Sequence, residues 1–332
     1  MSTKCLIIAT QKSVHINRFI KSLELKFSLV DFILESELAQ HESLGNPQNY
    51  SFVLVVGIHK YARMPSEIFK YPIFYVSMAY DVAQIKYEWP SSERLQIIEE
   101  LKKSMGIIVD SQHVQSEIET LEVGPIPFFK LPFGIEQSED FYEEEVCGRK
   151  ITIAALRNWE KVHNQDLVCE VLSILSTRGN QIEVHFAGFG TLKEILKEKY
   201  AEMFNHGIFI DHGNLKETDI KRILARSDLY FSGSTIDGSS VTMLEAMFQG
   251  CIPIVFDNPA NREWINHGET GFLYDGITAA EDIIQAEIHE LNYNPSGIKS
   301  IRQRAREEII QKANWDRNFL ELVHFLERAC NV

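Results

Sequence analysis

The feature that most constrains the fold is a regular alternation of short apolar, β-branched runs with segments of helical periodicity. In the first half of the chain the apolar runs cover residues 5–10, 52–57, 73–78 and 106–110, and the helical segments cover residues 14–27, 93–104 and 113–121. The apolar runs are hydrophobic throughout instead of at every second residue, which is typical of strands covered by helices on both faces. The sequence therefore predicts an α/β fold built on parallel sheets.

The chain is predicted to form two such domains. An acidic stretch with few apolar residues, QSEDFYEEEVCGRK at 137–150, separates the first series from a second one. In the second series the apolar runs cover residues 150–156, 183–187, 208–211, 229–232 and 252–256. A chain of 332 residues has the length of two ordinary domains. We expect a first doubly wound domain at residues 1–145, a second at 146–312 and a final helix within 313–332.

Composition excludes several classes of protein. The 47 Asp and Glu exceed the 33 Lys and Arg, which argues against a general nucleic-acid binder because such proteins neutralise phosphates with basic side chains. No apolar run reaches the roughly 18 residues of a membrane span, and the N-terminus leads directly into a strand, so we expect no signal peptide. The five cysteines are scattered without a C-x-x-C pair, so we expect reduced thiols in a cytoplasmic protein.

Ligands of parallel sheets bind beyond the carboxyl ends of the strands, so polar residues in those loops are the candidates for a site. In the loop after the first strand of the second domain, Arg157 and Lys161 could clamp a phosphate group, Arg as a bidentate fork and Lys as a point charge. The alternative is a solvated loop whose cations pair with Glu160. A second loop contains Gly188 and Gly190, for which a tight turn into a helix is favoured over contact with a pyrophosphate.

A third loop, residues 232–247, leads from a strand through a Gly/Ser-rich turn into a helix. Its backbone N–H groups after Gly238, at Ser239, Ser240 and Val241, are expected to face outward with the positive end of the helix dipole behind them. This arrangement predicts an anion-binding site.

Two carboxylates flank this predicted anion site. Asp237 precedes the helix and Glu245 lies one to two turns inside it, so both could contact a ligand held at the helix terminus. For Asp237 the alternative is a turn residue before Gly238. For Glu245 the alternative is a capping box with Thr242.

In this order along the chain, the loops resemble the nucleotide-sugar site of retaining glycosyltransferases of family 4, which have the GT-B fold. The matching features are Arg157 with Lys161, Gly188 with Gly190, Asp237 with Glu245-Ala246-Met247, and the stretches LPFGIE at 131–136, GCIPIV at 250–255 and GETGFL at 268–273. The resemblance implies two Rossmann-like domains facing a cleft, an N-terminal one on the acceptor side and a C-terminal one for the nucleotide sugar. It also implies that the final helix packs back toward the N-terminal domain.

The resemblance further implies a reaction and roles for residues. A nucleoside diphosphate sugar would be the donor, and no other cofactor is expected. Arg157, Lys161 and the backbone N–H groups would stabilise the leaving diphosphate, and Asp237 would hold hydroxyls of the transferred sugar. Glu245 would contact the ribose, and the loop containing His212 and Gly213 would lie against the base. Because no Asp-x-Asp motif occurs in the chain, we expect a reaction that needs no metal.

The sequence departs from the family in four places. Asp237 stands where Glu is commoner, and Arg157 and Lys161 are four residues apart where five is usual. A Gly-Gly loop near the N-terminus is replaced by residues 11–19, and a usual His before Asp81 is absent. The candidates for the acceptor side are therefore His15, Asn17 and Asp81. A helix-start residue and a helix cap are the alternatives for His15 and Asp81.

The leading hypothesis is retaining transfer of a hexose-type sugar to a saccharide or lipid-linked saccharide, in bacterial surface polysaccharide or glycoprotein assembly. The basic, partly apolar segment at residues 13–27 could touch an anionic membrane at the inner face of the cell, or could pack as an ordinary surface helix. Two other functions stay open at this point: an epimerase acting on the nucleotide sugar, and a catalytically silent subunit that binds it.

Overall fold

The computed structural model describes residues 4–10, 14–40, 50–58, 66–77, 79–132, 134–135 and 150–330. Its strands are β1 (Lys4–Ala9), β2 (Leu29–Leu34), β3 (Phe52–Val56), β4 (Ile73–Ser77), β5 (Gly106–Val109), β6 (Phe128–Lys130), β7 (Ile151–Ala155), β8 (Ile182–Phe186), β9 (Phe209–Asp211), β10 (Leu229–Ser232), β11 (Ile252–Phe256) and β12 (Phe272–Tyr274). Its α-helices are α1 (Val14–Glu24), α2 (Tyr80–Tyr87), α3 (Ser91–Leu101), α4 (Gln112–Glu119), α5 (Gln165–Thr177), α6 (Lys193–Lys199), α7 (Ala201–Asn205), α8 (Glu217–Leu224), α9 (Val241–Gln249), α10 (Pro259–Arg262), α11 (Ile277–Tyr293), α12 (Pro295–Lys312) and α13 (Trp315–Cys330). Short 3₁₀ helices lie at Glu35–Gln40, Ser66–Lys70 and Lys161–His163.

The chain divides into two compact units, one formed by Met1–Phe133 with Trp315–Val332 and the other by Gly134–Asn314. Each unit contains one six-stranded sheet, ordered β2-β1-β3-β4-β5-β6 in the first and β12-β11-β10-β7-β8-β9 in the second. All the strand pairs are parallel, so the predicted α/β class is confirmed. The predicted boundary between residues 145 and 146 lies outside the described residues.

Central strands and edge strands of these sheets differ in burial. Strands β3, β4 and β5 are buried along their whole length, as the continuous apolar runs predict. The described strands at sheet edges, β2, β6, β9 and β12, are mostly half-exposed; the sequence pattern predicted β9 and not the other three. A strand covered by only one neighbour can carry polar side chains, so its apolar pattern is weaker.

The final helix, α13, packs on the first unit. The indole Nε1 of Trp315 donates a hydrogen bond to Oγ of Ser22 at 2.8 Å. The rings of Trp315 and Phe319 meet the ring of Phe19 edge-on, at centroid distances of 5.5 and 5.8 Å. The expectation that this helix returns to the N-terminal half of the chain is therefore confirmed.

Helix α1 buries one face in the first unit. Ile16, Phe19 and Leu23 are buried there, and the guanidinium of Arg18 is also buried, over the ring of Trp315 at 5.6 Å from its centroid. Within the part of the chain that the structure describes, no helix has both the length and the apolar character to cross a bilayer.

The second sheet positions the loops that the sequence analysis identified as candidates for a ligand site. Strand β7 is at the centre of this arrangement because it pairs with β8 on one side and with β10 on the other. Parallel strands end at the same edge of a sheet, so the loops after β7, β8 and β10 lie side by side. The loop after β9 follows next to that of β8.

The packing of α13 gives a first testable prediction. Replacing Phe319 by Ala should lower the free energy of unfolding by about 3–5 kcal/mol, because a buried ring is removed from between two other rings. Leu320→Ala on the same helix is the matched control, since that side chain is 39% exposed, and it should cost less than about 1 kcal/mol. Urea unfolding followed by tryptophan fluorescence measures both, and equal losses in the two variants would contradict this packing.

Candidate functional site

Arg157 lies in the loop that follows β7, and hydrogen bonds of its backbone N–H and carbonyl hold it there. Its N–H donates to the carbonyl of Ala155 at 3.1 Å. Its carbonyl accepts a hydrogen bond at 2.7 Å from the side-chain amide of Gln165, a buried residue at the start of α5. The side chain of Arg157 is 13% exposed. A cation is therefore held at the carboxyl end of the sheet with little freedom of its backbone.

The Gly188–Gly190 turn after β8 supports this loop. The N–H of Trp159 donates to the carbonyl of Phe189 at 2.8 Å, and the N–H of Leu192 donates to the carbonyl of Trp159 at 2.9 Å. Gly190 has φ of +153°, and a Cβ there would lie 2.4 Å from the Trp159 carbonyl oxygen. The glycines therefore permit close approach between two loops, in keeping with the tight turn that the sequence favoured.

The loop after β10 ends in an open helix terminus. Ser240 is the N-cap of α9, and its side chain makes no capping bond to the helix. The first intrahelical bond runs from the N–H of Leu244 to the carbonyl of Ser240. The N–H groups of Val241, Thr242 and Met243 precede that bond and have no partner among the described residues. They form the positive end of the helix dipole, where anions bind favourably.

The side chain of Arg157 joins the first of these loops to the third. Its Nη2 donates to Oδ2 of Asp237 at 2.7 Å, and its Nη1 donates to Oγ of Ser240 at 2.8 Å. Burial raises the pKa of Asp237, and the Arg157 guanidinium and the Gly238 backbone N–H oppose that rise. Burial is the largest single effect on Arg157 and disfavours its charged form, but Asp237 and Tyr230 together outweigh it and raise the pKa of Arg157. The structure thus brings Arg157, Asp237 and Ser240 together, beside buried Ser239.

His163 is a member of this cluster that the sequence analysis missed. Its Nδ1 lies 3.1 Å from Nη2 of Arg157 and 3.1 Å from Oγ of Ser234. Lys161, the predicted second cation, has an exposed side chain with no hydrogen bond or ion pair to any described residue. The structure does not bring Lys161 to Arg157, because the 3₁₀ turn at Lys161–His163 directs His163 there instead. The unusual spacing between Arg157 and Lys161 was the signal that pointed to this difference.

Glu245 lies in the second turn of α9 and is only 6% exposed. Because Ser240 is the N-cap, Thr242 lies inside the first turn and cannot act as the cap of a capping box with Glu245. The capping-box alternative is therefore wrong. Glu245 remains a buried carboxylate on the helix that presents the free N–H groups.

His212, directly after β9, lies against His185 of β8. Nε2 of His185 lies 3.1 Å from Oε1 of Glu183, and Nδ1 of His185 lies 2.8 Å from Nε2 of His212. Burial lowers the pKa of His185, while Glu183 opposes that shift. An ionised carboxylate only accepts hydrogen bonds, so Nε2 of His185 carries the proton and Nδ1 accepts from His212. This orientation leaves Nδ1 of His212 as an acceptor.

Backbone contacts fix the same loop against its neighbour. The N–H of Gly188 donates to the carbonyl of Gly213 at 2.7 Å, and the N–H of Gly213 donates to Oδ1 of Asp211 at 3.0 Å. Lys193 stands where a dinucleotide fingerprint would have its last glycine, and its Nζ lies 2.9 Å from Oδ2 of Asp211. The His212–Gly213 segment is therefore rigidly attached to the Gly188 turn.

The acceptor-side candidates belong to the first unit. Asp81 is 2% exposed, and it accepts hydrogen bonds from the N–H of Ile58 at 3.0 Å and from Oγ of Ser77 at 2.9 Å. These contacts tie the ends of β3 and β4 together and already engage both carboxylate oxygens of Asp81. Asn17 is exposed on α1. His15 lies in the same helix, and its side chain is outside the described residues.

Among the described residues, no three His, Cys, Asp or Glu side chains are grouped as metal ligands would be.

Comparison with known proteins identifies the family. The family described as glycosyl transferases group 1 matches residues 136–308, which is more than half of the chain. The chain belongs to this family. No curated protein matches the chain.

Solved structures share the fold at low identity. HepE from Anabaena, in complex with UDP and glucose, is 12% identical with a TM-score of 0.74, over 98% of this chain and 100% of that chain. A mutant of TarM from S. aureus, in complex with UDP among other ligands, is 17% identical with a TM-score of 0.69, over 87% of this chain and 58% of that chain. The pneumococcal O-GlcNAc transferase GtfA, in complex with UDP and GlcNAc, is 17% identical with a TM-score of 0.66, over 83% of this chain and 57% of that chain. This chain thus spans a little over half the length of TarM and of GtfA, and it has the GT-B fold.

The close contact at Gly190 gives a second prediction. Gly190→Ala should lower the free energy of unfolding by at least about 3 kcal/mol, because the new Cβ would collide with the Trp159 carbonyl. Gly207→Ala is the matched control: Gly207 has φ of +67° but nothing within 4 Å of a built Cβ, so only the backbone strain of about 1 kcal/mol applies. Thermal unfolding compares the two variants. A Gly190 variant as stable as the Gly207 variant would show that the two loops do not approach as described.

Proposed function

We propose that this chain is a retaining glycosyltransferase that moves a sugar from a nucleoside diphosphate sugar to a saccharide acceptor, in bacterial surface polysaccharide or glycoprotein assembly. The observation that carries the proposal is the contact between Arg157 and Ser240 at 2.8 Å. Through it, a guanidinium from one loop reaches the open N-terminus of α9 in another. A permanent cation beside free backbone N–H groups is the environment that a diphosphate requires.

The leaving diphosphate determines which groups are needed. Negative charge grows on its oxygens as the bond to the sugar breaks, so preorganised donors lower the barrier. In our proposal these donors are Arg157 and the N–H groups of Val241, Thr242 and Met243. The exposed side chain of Lys161 gives no support for the part that the resemblance implied for it.

The rest of the donor is assigned along the same edge of the sheet. We assign hydroxyls of the transferred sugar to Asp237, the ribose to Glu245 and the base to the segment of His212 and Gly213. HepE, which shares the fold, has been solved in complex with UDP-glucose. A UDP sugar is therefore the first donor to test.

We propose retention by front-face attack, in which a phosphate oxygen of the donor takes the proton of the acceptor hydroxyl. A glycosidase needs two carboxylates that face each other across the bond, one of them an acid for a poor leaving group. Here Asp237 is bound to Arg157 at 2.7 Å, an arrangement that suits a binding residue more than a nucleophile. Trapping a sugar ester on Asp237 or Glu245 would contradict this mechanism.

For the acceptor we propose a saccharide, free or linked to a lipid. Asn17 is the exposed candidate on the first unit. We also propose that the protein works in the cytoplasm, because Cys5, Cys169 and Cys251 are free and buried thiols.

The third prediction tests the donor site. Arg157→Ala should lower kcat/KM for the nucleoside diphosphate sugar about 10²–10³-fold, the usual effect of removing one donor to a developing anion. Arg222→Ala is the control, because Arg222 is 65% exposed and pairs with Asp219 on α8; its kcat/KM should equal that of the wild type. Steady-state rates of nucleoside diphosphate release from a panel of UDP, GDP, ADP and dTDP sugars measure the effect. Equal rates for the two variants would remove the basis of the proposal.

The fourth prediction concerns metals. Because Arg157 and the amides of α9 supply the positive charge, the rate of sugar transfer should be the same with and without excess EDTA. The rate should also be unchanged by added magnesium or manganese. If EDTA abolished sugar transfer and added magnesium or manganese restored it, that result would contradict a metal-independent reaction.

A further inference from the structure

His163 and Asp237 both contact the same guanidinium nitrogen of Arg157. Nη2 of Arg157 lies 2.7 Å from Oδ2 of Asp237 and 3.1 Å from Nδ1 of His163. A guanidinium has only donors, so Nδ1 of His163 must present its lone pair and the ring proton must lie on Nε2. Oγ of Ser234 lies 3.1 Å from the same ring nitrogen, and its hydroxyl is the donor of this contact when Nδ1 is unprotonated. The neighbours of His163 therefore select one neutral tautomer.

The charges around His163 favour the same state. Arg157 is the charged group in contact with the ring, and beyond it lie Asp237 and the hydroxyl of Tyr230. Lys161 is on the same 3₁₀ turn but is exposed. Burial, with the Arg157 charge in support, lowers the pKa of His163 to about 3. The imidazole thus stays uncharged across the pH range in which proteins are usually assayed.

The bonds of Arg157 show what a neutral acceptor contributes. Asp237 and Ser240 hold the two Nη atoms from the loop after β10, and His163 holds Nη2 from the loop that carries Arg157 itself. His163 thus adds a bond from the loop of Arg157 itself to those made on the β10 side, and this further restrains the plane of the guanidinium. A lysine ammonium in place of the ring could not accept a bond and would repel Arg157 at contact distance.

We propose that His163 is a positioning residue of the donor site, which holds the Arg157 guanidinium through an unprotonated Nδ1 in the orientation that a nucleoside diphosphate requires. The inference rests on the proposed function, since Arg157 is the residue that meets the diphosphate. It also differs from what the resemblance implied, because the second group of this loop is an uncharged acceptor and not a cation.

Four variants test this role, with the donor sugar identified by the panel above. In His163→Asn the side-chain oxygen replaces Nδ1 as an acceptor, whereas His163→Leu removes the acceptor and His163→Lys adds a cation. His206→Leu is the control, because His206 is exposed and bonds only its own helix at Glu202. The measurements are kcat, KM for the donor, the dissociation constant of UDP and the melting temperature.

We expect H163N to keep at least about a third of the wild-type kcat/KM, and H163L to lose at least tenfold, mainly in kcat. H163K should be the least active of the three. H206L should match the wild type. If H163L does not fold, the comparison of H163N with H163K decides. Wild-type activity in H163L, or a more active H163K than H163N, would overturn the inference.

Two further readouts separate this inference from the proposed function. The ¹⁵N chemical shifts of the His163 ring, assigned with H163N, should show an unprotonated Nδ1 in the free protein from pH 5 to 8. A protonated Nδ1 would overturn the inference whatever the enzyme's substrate. A kinetic pKa between 6 and 8 that disappears in H163N would do the same. If the wild type binds no nucleoside diphosphate, the proposed function fails and this role fails with it.

Discussion

The proposed donor site depends on the ion pair between Arg157 and Asp237. The two side chains are only 13% and 17% exposed, so each charge needs the other in the free protein. A buried charge that loses its partner typically costs several kcal/mol. The pair therefore ties the loop after β7 to the loop after β10. In our proposal a diphosphate would be a second anion for the same guanidinium, so donor binding and the arrangement of the two loops would be linked through one side chain.

The backbone arrangement of the second sheet brings Arg157 and Asp237 close enough to pair. Because β7 lies between β8 and β10, the loops that follow these three strands all begin at the same edge of the sheet. The turn at Gly190 then packs against the carbonyl of Trp159, two residues after Arg157. The Gly188–Gly190 turn, whose sequence resembles the start of a dinucleotide fingerprint, thus acts on the site indirectly. It supports the loop that carries Arg157. The same turn anchors the His212–Gly213 segment through Gly188.

The sequence predicted what depends on local pattern and missed what depends on neighbours. Continuous apolar runs identified the central strands, and a Gly/Ser turn before a helix identified the terminus of α9. The half-exposed edge strands β2, β6 and β12 carry weaker patterns. Likewise, a 3₁₀ turn decides that His163 and not Lys161 meets Arg157. Asp81 of α2 accepts from the N–H of Ile58, which follows β3, a contact that residue spacing cannot predict.

The most direct test of this account is a crystal structure of the protein with UDP bound. We predict that the diphosphate lies within hydrogen-bond distance of the Arg157 guanidinium and of the N–H groups that begin α9, with His163 still bonded to Arg157 through Nδ1. A diphosphate bound elsewhere, with Arg157 and the start of α9 left as they are in the free protein, would contradict it.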